Sequence, residues 1–235
     1  MSGELFSADQ LAGARFGPLT LTLAAGAGAV VHAQQPGQLD ELLDVLAGIK
    51  PALGGSLRLC GEDPAGLPEP RWLRHLAVLG YATGGAGLLS NLKVWENLVL
   101  PLEARGERGP ARDLGAVEAD VVEAFGVAGF NEAWVQRAMP EPPDHLGGFE
   151  RTVCGLVRCH LCGFRLLVCD RLFEGLDEQP ARRLAALVDW LGARRPDSAL
   201  LVLYHGGEDP GRRFGLSAWG PLAMVSLEGG SWPDS

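Results

Sequence analysis

The sequence predicts an α/β protein built on a mostly parallel sheet with helices on both faces. Two observations support this prediction. Short apolar runs of strand length alternate with longer segments in which leucine and valine recur at helical spacing. The most apolar runs, "FRLLVCD" and "SALLVLYH", have the near-continuous hydrophobicity of parallel strands that are buried on both faces.

The first third of the chain supplies the opening strands and one helix. "PLTLTLAAGAGAVVHA" contains alternating and then continuous apolar positions, which predicts strands. "QLDELLDVLAGIK" predicts a helix, because Leu39, Leu42, Leu43 and Leu46 fall on one face. "PALGGSLRLCGED" then predicts a turn and a short strand, and "LAVLGYATG" predicts a further strand.

The middle of the chain, residues 88–150, is predicted to be a mainly helical subdomain, because its apolar residues recur at helical spacing. It is inserted into a predicted α/β core made of residues 1–87 and 151–235. Within it, "EAWVQRAMPEPPDHLGG" is predicted to be a loop, because the prolines at 140, 142 and 143 interrupt a helix.

The last third returns to alternating helices and strands. "ERTVCGLVRCHLCG" predicts a helix, "FRLLVCD" a strand that ends at Asp170, and "SALLVLYH" a strand that ends at His205. Between these strands, "DEQPARRLAALVDWLGARRP" predicts a helix that begins near Asp177. Because parallel strands end at one sheet edge, Asp170, His205 and the loop after Val31 are expected together, where such sheets bind ligands.

Composition excludes several classes of function. The chain has 20 basic and 29 acidic residues, a net charge of −9, so a general nucleic-acid or anionic-membrane surface is not expected. No apolar run reaches the roughly 18 residues of a membrane span, and "MSGELFSADQ" does not resemble a secretory signal. We therefore expect a cytoplasmic protein without direct membrane insertion.

The cysteines are the first candidates for metal or redox chemistry. Cys159 and Cys162 form a C-x-x-C pair, which can be a redox pair or half of a metal site. The chain contains no second C-x-x-C and no H-x₃₋₅-H that could complete a zinc site. Both cysteines are three apart on a predicted helix, so we expect them to pack as small apolar residues, with no metal.

The loop after the strand at Val31 has the order strand, loop and helix that phosphate-binding loops use. Such loops need glycines to curl backbone N–H groups around phosphates, a lysine for their charge, and a Ser or Thr hydroxyl for Mg²⁺. "HAQQPGQLD" contains no lysine, serine or threonine, and its single glycine is Gly37. The loop therefore has the position of a phosphate loop without its chemical groups.

Four segments in chain order resemble the ATP-binding subunits of ABC transporters: "SNLKVWENLVLPL", "LGGFERTVCGLVR", "RLLVCDRLFEGLD" and "LLVLYHG". The resemblance covers nearly the whole chain. "VWENLVLPL" and "CDRLFEGLD" are similar to the lipid-transport branch, the Mla-type subunits. The resemblance implies a P-loop NTPase fold of the ABC ATPase type, in which the helical block is the inserted subdomain.

The resemblance assigns the phosphate loop residue by residue. Aligning "ELLDVLAG" with the family pattern "TLLxxLAG" puts Ala33, Pro36 and Gln38 at three glycine positions, Leu39 at the lysine and Asp40 at the Mg²⁺-binding serine. Pro36 removes an N–H donor and Leu39 removes the cation. Asp40 and Glu41 add negative charge at a helix N-terminus that would otherwise attract phosphate.

The remaining motifs are also altered. Gly84 takes the position of the glutamine that senses Mg²⁺. "LGGFE" takes the position of the family's "LSGGE" signature and comprises Leu146, Gly147, Gly148, Phe149 and Glu150. Gly147 replaces the serine. The Phe149 side chain replaces a glycine at which the backbone approaches phosphate, and is expected to obstruct that approach.

The strand-end residues are partly retained. Asp170 matches the Mg²⁺-associated carboxylate, but Arg171 replaces the glutamate that would polarise the attacking water, and a guanidinium cannot act as a base. Asp177 matches the dimer-facing loop, and His205 matches the switch histidine.

These assignments predict a catalytically inactive ABC ATPase-like subunit with no ATP or Mg²⁺ cofactor. Its expected partners are a transmembrane permease and either an active ATPase subunit or a second copy of itself, at the inner face of the membrane. Two alternatives stay open. The chain could bind nucleotide, or act as a weak ATPase, through a site remodelled around Arg171. It could also be a free-standing protein-interaction module.

Overall fold

The computed structural model describes residues 4–85, 87–104, 113–206 and 210–228. The strands are β1 (Glu4–Ala12), β2 (Leu19–Ala24), β3 (Gly28–Ala33), β4 (Gly54–Leu59), β5 (Leu79–Thr83), β6 (Leu166–Asp170), β7 (Ala199–His205) and β8 (Ala223–Leu227). The helices are α1 (Gln38–Leu46), α2 (Glu69–Val78), α3 (Val94–Ala104), α4 (Leu114–Val127), α5 (Glu132–Ala138), α6 (Gly148–Cys162), α7 (Glu178–Arg194) and α8 (Pro210–Phe214).

A five-stranded parallel sheet in the order β5-β6-β7-β3-β8 forms the centre of the molecule. This confirms the predicted α/β class and the parallel sheet. The register aligns the strand ends, because Ala33 on β3 pairs with His205 on β7, and Thr83 on β5 pairs with Asp170 on β6. The loops that follow β3, β6 and β7 therefore leave the sheet at one edge.

The two faces of the parallel sheet pack against different layers. On one face, Val30, Leu200 and Val202 join the core formed with α3, α4, α6 and α7. On the other face, Val31 and Leu201 pack with α1 and with a second, antiparallel sheet in the order β2-β1-β4. Alternate residues of one strand serve opposite cores, as the two-residue period of a strand requires.

Several elements differ from the sequence predictions. The segment "EAWVQRA", predicted as loop, is helix α5, because Asn131 caps its first turn by accepting a hydrogen bond from the Trp134 N–H at 2.8 Å. The prolines follow only after this helix has ended. "LAVLGYATG" changes from α2 to β5 between Val78 and Leu79. Strands β1 and β8 and helix α2 lie in segments for which the pattern made no prediction.

The predicted subdomain boundary at residue 150 falls inside a helix. Helix α6 begins at Gly148 and continues to Cys162, so it starts in the signature region and ends at the loop before β6. It packs against α3, α4, α7 and β5. The helical block and the sheet therefore share this helix.

The cysteines of α6 and β6 are packed in the interior. Cys159 is buried, and its thiol donates to the carbonyl oxygen of Tyr81 at 3.4 Å, while Cys162 is half-buried. Burial raises the pKa of both the Cys154 and Cys159 thiols to about 12. A thiol in this state is a poor nucleophile and a poor metal ligand. Within the described ranges, no helix has the length and hydrophobicity to cross a bilayer.

A buried asparagine fixes the entry into α3. The amide oxygen of Asn97 accepts from the Leu89 N–H at 2.7 Å, and its amide nitrogen donates to the carbonyl oxygens of Leu89, Leu92 and Lys93 at 3.0–3.3 Å. Asn97 is 2% exposed. Its side chain thus ties the 89–93 loop to the start of α3 and provides the acceptor for the Leu89 N–H.

We expect Asn97→Ala to lower the free energy of unfolding by about 1–3 kcal/mol, because the Leu89 N–H loses its acceptor. Chemical denaturation measures the change. Asn91→Ala is the matched control, since Asn91 is exposed in the same loop. Equal stability losses in the two variants would contradict this role for Asn97.

Candidate functional site

A small cavity at the carboxyl edge of the parallel sheet is the candidate site. Its volume is about 260 Å³, and it lies where the loops after β3, β6 and β7 meet. Its lining comprises Gln35, Pro36, Gly37, Leu39, Asp40, Arg171, Glu174 and His205. The fold thus brings together the loop after Val31, the residue after Asp170, and His205, which the sequence analysis expected at one edge.

The loop between β3 and α1 is held by the side chain of Gln38. The Gln38 amide oxygen accepts hydrogen bonds from the backbone N–H of Gln34 at 2.8 Å and of Gln35 at 2.9 Å. Its amide nitrogen donates to the carbonyl oxygen of Glu228 at 3.0 Å. Gln38 is completely buried, and Gly37 turns the chain into the helix with a φ of 81°. Two N–H groups of the loop therefore bond to a side chain of the protein.

The segment after β1 covers the same loop from outside. The Arg15 guanidinium lies directly against Gly37, so a Cβ added at Gly37 would stand 2.2 Å from Arg15 Nη1. The carboxylate of Glu41 accepts from the N–H of Ala14 at 2.9 Å and of Arg15 at 2.6 Å. These contacts tie the segment to α1 and close the loop on this side.

Arg171 joins two carboxylates from distant parts of the chain. Its Nη2 lies 2.7 Å from Asp40 Oδ1 and 3.1 Å from Asp170 Oδ2, and its Nε lies 2.9 Å from Asp170 Oδ1. The Nε contact is an ion pair without hydrogen-bond geometry. The hydrogen bond to Asp170, and the weaker effect of Asp40, raise the pKa of Arg171, although burial lowers it.

The backbone supports this placement of Arg171. Its φ is 49°, in the left-handed region that a side chain other than glycine rarely adopts. Asp170 is 1% exposed at the end of β6, and the Tyr81 hydroxyl on β5 donates to its Oδ2 at 2.7 Å. The guanidinium therefore stands between one buried and one exposed carboxylate.

Comparisons with known proteins were made by sequence and by fold. No family model matches the chain. The thiamine import ATP-binding protein ThiQ of Salmonella choleraesuis is 27% identical over 197 residues, which cover 83% of this chain and 77% of that protein. The methionine import ATP-binding protein MetN 1 of Rhodococcus jostii is 29% identical over 149 residues, 63% of this chain and 40% of that protein.

Solved structures match over almost the full length. The dimeric structure of MJ0796, a bacterial ABC transporter cassette, superposes with a TM-score of 0.73 at 13% identity and covers 94% of each chain. The structure of an ATP-binding subunit of an ABC transporter gives the same TM-score at 16% identity, over 97% of this chain and 90% of the other. The chain has the ABC ATPase fold. Its sequence is similar to those of the two import ATP-binding proteins named above.

The segment that aligns with the ABC signature forms the start of α6. Glu150 accepts from the Gly147 N–H at 2.6 Å, while Leu146 is buried and Gly148 is the first helical residue. The Phe149 ring packs inward, 5.9 Å from the ring of Phe130 and under the guanidinium of Arg183 at 4.7 Å. Phe149 thus contributes to packing within its own chain.

The other ABC motif positions are more exposed. Gly84 follows β5 with open space around it, and the neighbouring Gly85 N–H donates to Thr152 Oγ1 at 3.2 Å. Asp177 precedes α7 without capping its first turn. The His205 side chain is exposed, and its backbone N–H donates to the Glu174 carboxylate at 2.5 Å. Glu174 thereby places a negative charge at the mouth of the cavity.

Sequence reasoning missed three participants in this site, Arg15, Tyr81 and Glu174, and assigned Glu41 only a negative charge at the helix N-terminus. Tyr81 lies inside an apolar strand, and Glu174 opens the "EGLD" segment, of which only Asp177 was assigned a role. Arg15 and Glu41 meet only through the fold. Gln38 was assigned as a lost glycine. A polar residue at the first buried position of a helix was the available signal for its hydrogen-bonding role.

Tyr81 makes a testable contribution to this edge of the ABC-type fold. Burial, and then the hydrogen bond to Asp170, raises the pKa of its hydroxyl from the ordinary value of 10.0 to about 12. A raised pKa in the folded state stabilises the fold while the hydroxyl is protonated. That contribution is complete below pH 10 and is lost as the pH rises through 12.

We therefore expect Tyr81→Phe to be less stable than the wild type at neutral pH. The difference between them should shrink as the pH rises from 10 towards 12. Chemical denaturation at stepped alkaline pH measures both curves. Tyr204→Phe is the control, because Tyr204 contacts His32 rather than Asp170. A wild-type advantage that stays constant over this pH range would contradict the assignment.

Proposed function

We propose that the chain is a catalytically inactive ABC ATPase-like subunit that serves a membrane transport complex as a structural or regulatory component. One observation supports this proposal most directly. The guanidinium of Arg171 occupies the space between Asp40 and Asp170, the positions that the family uses to bind Mg²⁺. A site that keeps its own cation there does not fit a Mg²⁺–nucleotide complex.

The other catalytic positions support the same proposal. Leu39, at the position of the lysine, is 2% exposed and packs into the core between α1 and the antiparallel sheet. Arg171, at the position of the catalytic glutamate, has no lone pair with which to accept a proton from water. The residues that would attract phosphate and activate water are thus replaced by core packing and an ion pair.

Electrostatics weigh against a bound triphosphate. Asp40 and Glu174 put two negative charges on the walls of the cavity. Arg171 is compensated by two carboxylates, and Pro36 removes a backbone donor from the loop. A triphosphate would meet repulsion without the charge-assisted hydrogen bonds, worth about 1.5–3 kcal/mol each, that normally hold it.

The helical block supports a role in assembly. A cavity of about 830 Å³ lies between α3, α4 and α5, with Trp95, Val121, Val135 and Met139 among its apolar lining. Lys93 and Trp95 of "SNLKVWENLVLPL", the segment with which the family receives its membrane subunit, contribute to this lining. We propose a transmembrane permease as the partner here. An active ATPase or a second copy of this chain would be the other partner, all at the inner face of the membrane.

The cargo is proposed from the sequence. "VWENLVLPL" and "CDRLFEGLD" support a lipid-transport complex of the Mla type. The names of the relatives refer to import of thiamine and of methionine. Identification of the permease that co-purifies with the tagged chain from native membranes distinguishes these cargo classes. A tagged chain that carries no permease would instead support a free-standing interaction module.

A second candidate function is nucleotide binding through Arg171 in an altered pose. Arg171 and His205 both line the cavity, and this favours nucleotide binding because both are basic side chains. The two carboxylates bonded to Arg171 weigh against it. Substitution Arg171→Ala separates the candidates, because it would abolish any nucleotide binding that depends on this guanidinium.

We expect saturating Mg-ATP to leave the thermal unfolding midpoint of the wild-type chain unchanged. Ligand at about 100 times its Kd would stabilise a binding-competent chain by about 2.7 kcal/mol, which moves the midpoint by several degrees. An active ABC ATP-binding subunit measured in parallel is the positive control. A clear upward shift, or phosphate release that requires Arg171, would refute the proposal in favour of the second candidate.

A further inference from the structure

We propose that the chain supplies its own substitutes for the nucleotide's metal and phosphate, and so holds this edge of the sheet in a ligand-independent, closed arrangement. Arg171 replaces the divalent cation, and the Gln38 amide oxygen replaces a phosphate oxygen. The inference rests on the proposed function, according to which the chain does not use a Mg²⁺–nucleotide complex. It adds how the loops stay ordered without nucleotide.

The substitution for the cation is seen in the contacts of one nitrogen atom. Arg171 Nη2 is within hydrogen-bond distance of oxygen atoms from both Asp40 and Asp170. These carboxylates come from the N-terminal turn of α1 and the end of β6, so each would repel the other without a cation between them. Asp170 is 1% exposed, and a buried carboxylate is strongly unfavourable unless paired.

The substitution for the phosphate follows from the donors of the loop. In a phosphate loop, backbone N–H groups converge on an anionic oxygen. Here the N–H groups of Gln34 and Gln35 converge on one oxygen atom of the buried Gln38 side chain. The Gln38 amide nitrogen then donates to the carbonyl oxygen of Glu228, after β8, which ties the loop to the chain that follows this edge strand.

The two substitutions act on the same turn. Gln38 is the first residue of α1, and Asp40 lies in its first turn. Gln38 connects that turn to the loop and to the residue after β8, while Asp40 connects it through Arg171 to β6. The ends of β3, β6 and β8 are therefore joined by side chains of the protein.

Arg171→Met tests the proposal that Arg171 replaces the divalent cation, because it keeps an unbranched, flexible side chain and removes the charge. In EDTA we expect a thermal midpoint several degrees below that of the wild type. Addition of MgCl₂ should recover most of this loss, because Asp40 and Asp170 are then free to share a divalent ion. NaCl at equal ionic strength should not recover it. The wild-type midpoint should respond equally to the two salts.

Two further variants keep this test interpretable. Arg71→Met removes an exposed ion pair in which Arg71 Nη2 lies 2.8 Å from Glu62 Oε1. This variant should show no recovery specific to Mg²⁺. Arg171→Gln retains hydrogen-bond donors and is the second test variant, with the same recovery expected. If the Arg171 variants are as stable as the wild type in EDTA, or recover equally in NaCl, the proposal that Arg171 replaces the divalent cation is overturned. Failure of both Arg171 variants to fold in either salt would overturn it as well.

Gln38→Met tests the internal acceptor by hydrogen–deuterium exchange. We expect the amides of Gln34 and Gln35 to exchange several-fold faster than in the wild type, because they lose their shared acceptor. Gln34→Met is the control, since the Gln34 side chain bonds only to Ser226 Oγ at 3.0 Å among the described residues. Unchanged exchange in Gln38→Met would overturn this half of the inference.

The outcomes also separate this inference from the proposed function. If the thermal midpoint of the wild type does not respond to Mg-ATP and that of the Arg171 variants does not respond to Mg²⁺, this inference is overturned. The proposed function, an inactive subunit, is not affected by that result. A wild-type chain that is stabilised by Mg-ATP would overturn both. The inference is supported if Mg²⁺ raises the thermal midpoint of the Arg171 variants while Mg-ATP leaves that of the wild type unchanged.

Discussion

The ion cluster of Asp170, Arg171 and Asp40 is the constraint on which the arrangement of the sheet edge depends. Asp170 ends a strand that is buried along its whole length, so its carboxylate has almost no access to water. A carboxylate in that position requires a cation or several donors. Arg171 and the Tyr81 hydroxyl meet this requirement from neighbouring elements, and Asp40 joins the first helix to the same cation.

The fold and the sheet edge are supported by different residues. The sheet and its helices are held by apolar packing on both faces, and none of that packing needs a ligand. At the edge and in the helical block, three of the side chains at motif positions make contacts within the chain. Leu39 packs in the core, Gln38 accepts hydrogen bonds from the loop, and Phe149 packs against Phe130 and Arg183. These contacts do not depend on a ligand.

The helical block has a different relation to function. Its surface keeps an apolar cavity between α3, α4 and α5, while Asn97 fixes the loop that leads into α3. These features shape a surface rather than a reaction centre. A packed core supports this surface, and at the sheet edge Arg171 pairs with Asp40 and Asp170.

The sequence by itself determined the elements whose pattern is local. Continuous apolar runs predicted β3, β6 and β7, and helical spacing predicted α1 and α7, so the parallel sheet and its common edge followed. Strands β1 and β8 were not predicted. Polar residues occupy many positions of β1, and β8 is a short, mostly exposed edge strand, so only pairing with neighbours makes them strands. What only the tertiary structure decided is which groups meet, because Arg171 and Asp40 are 131 positions apart, and hydrogen bonds at that separation arise from folding rather than from any local pattern.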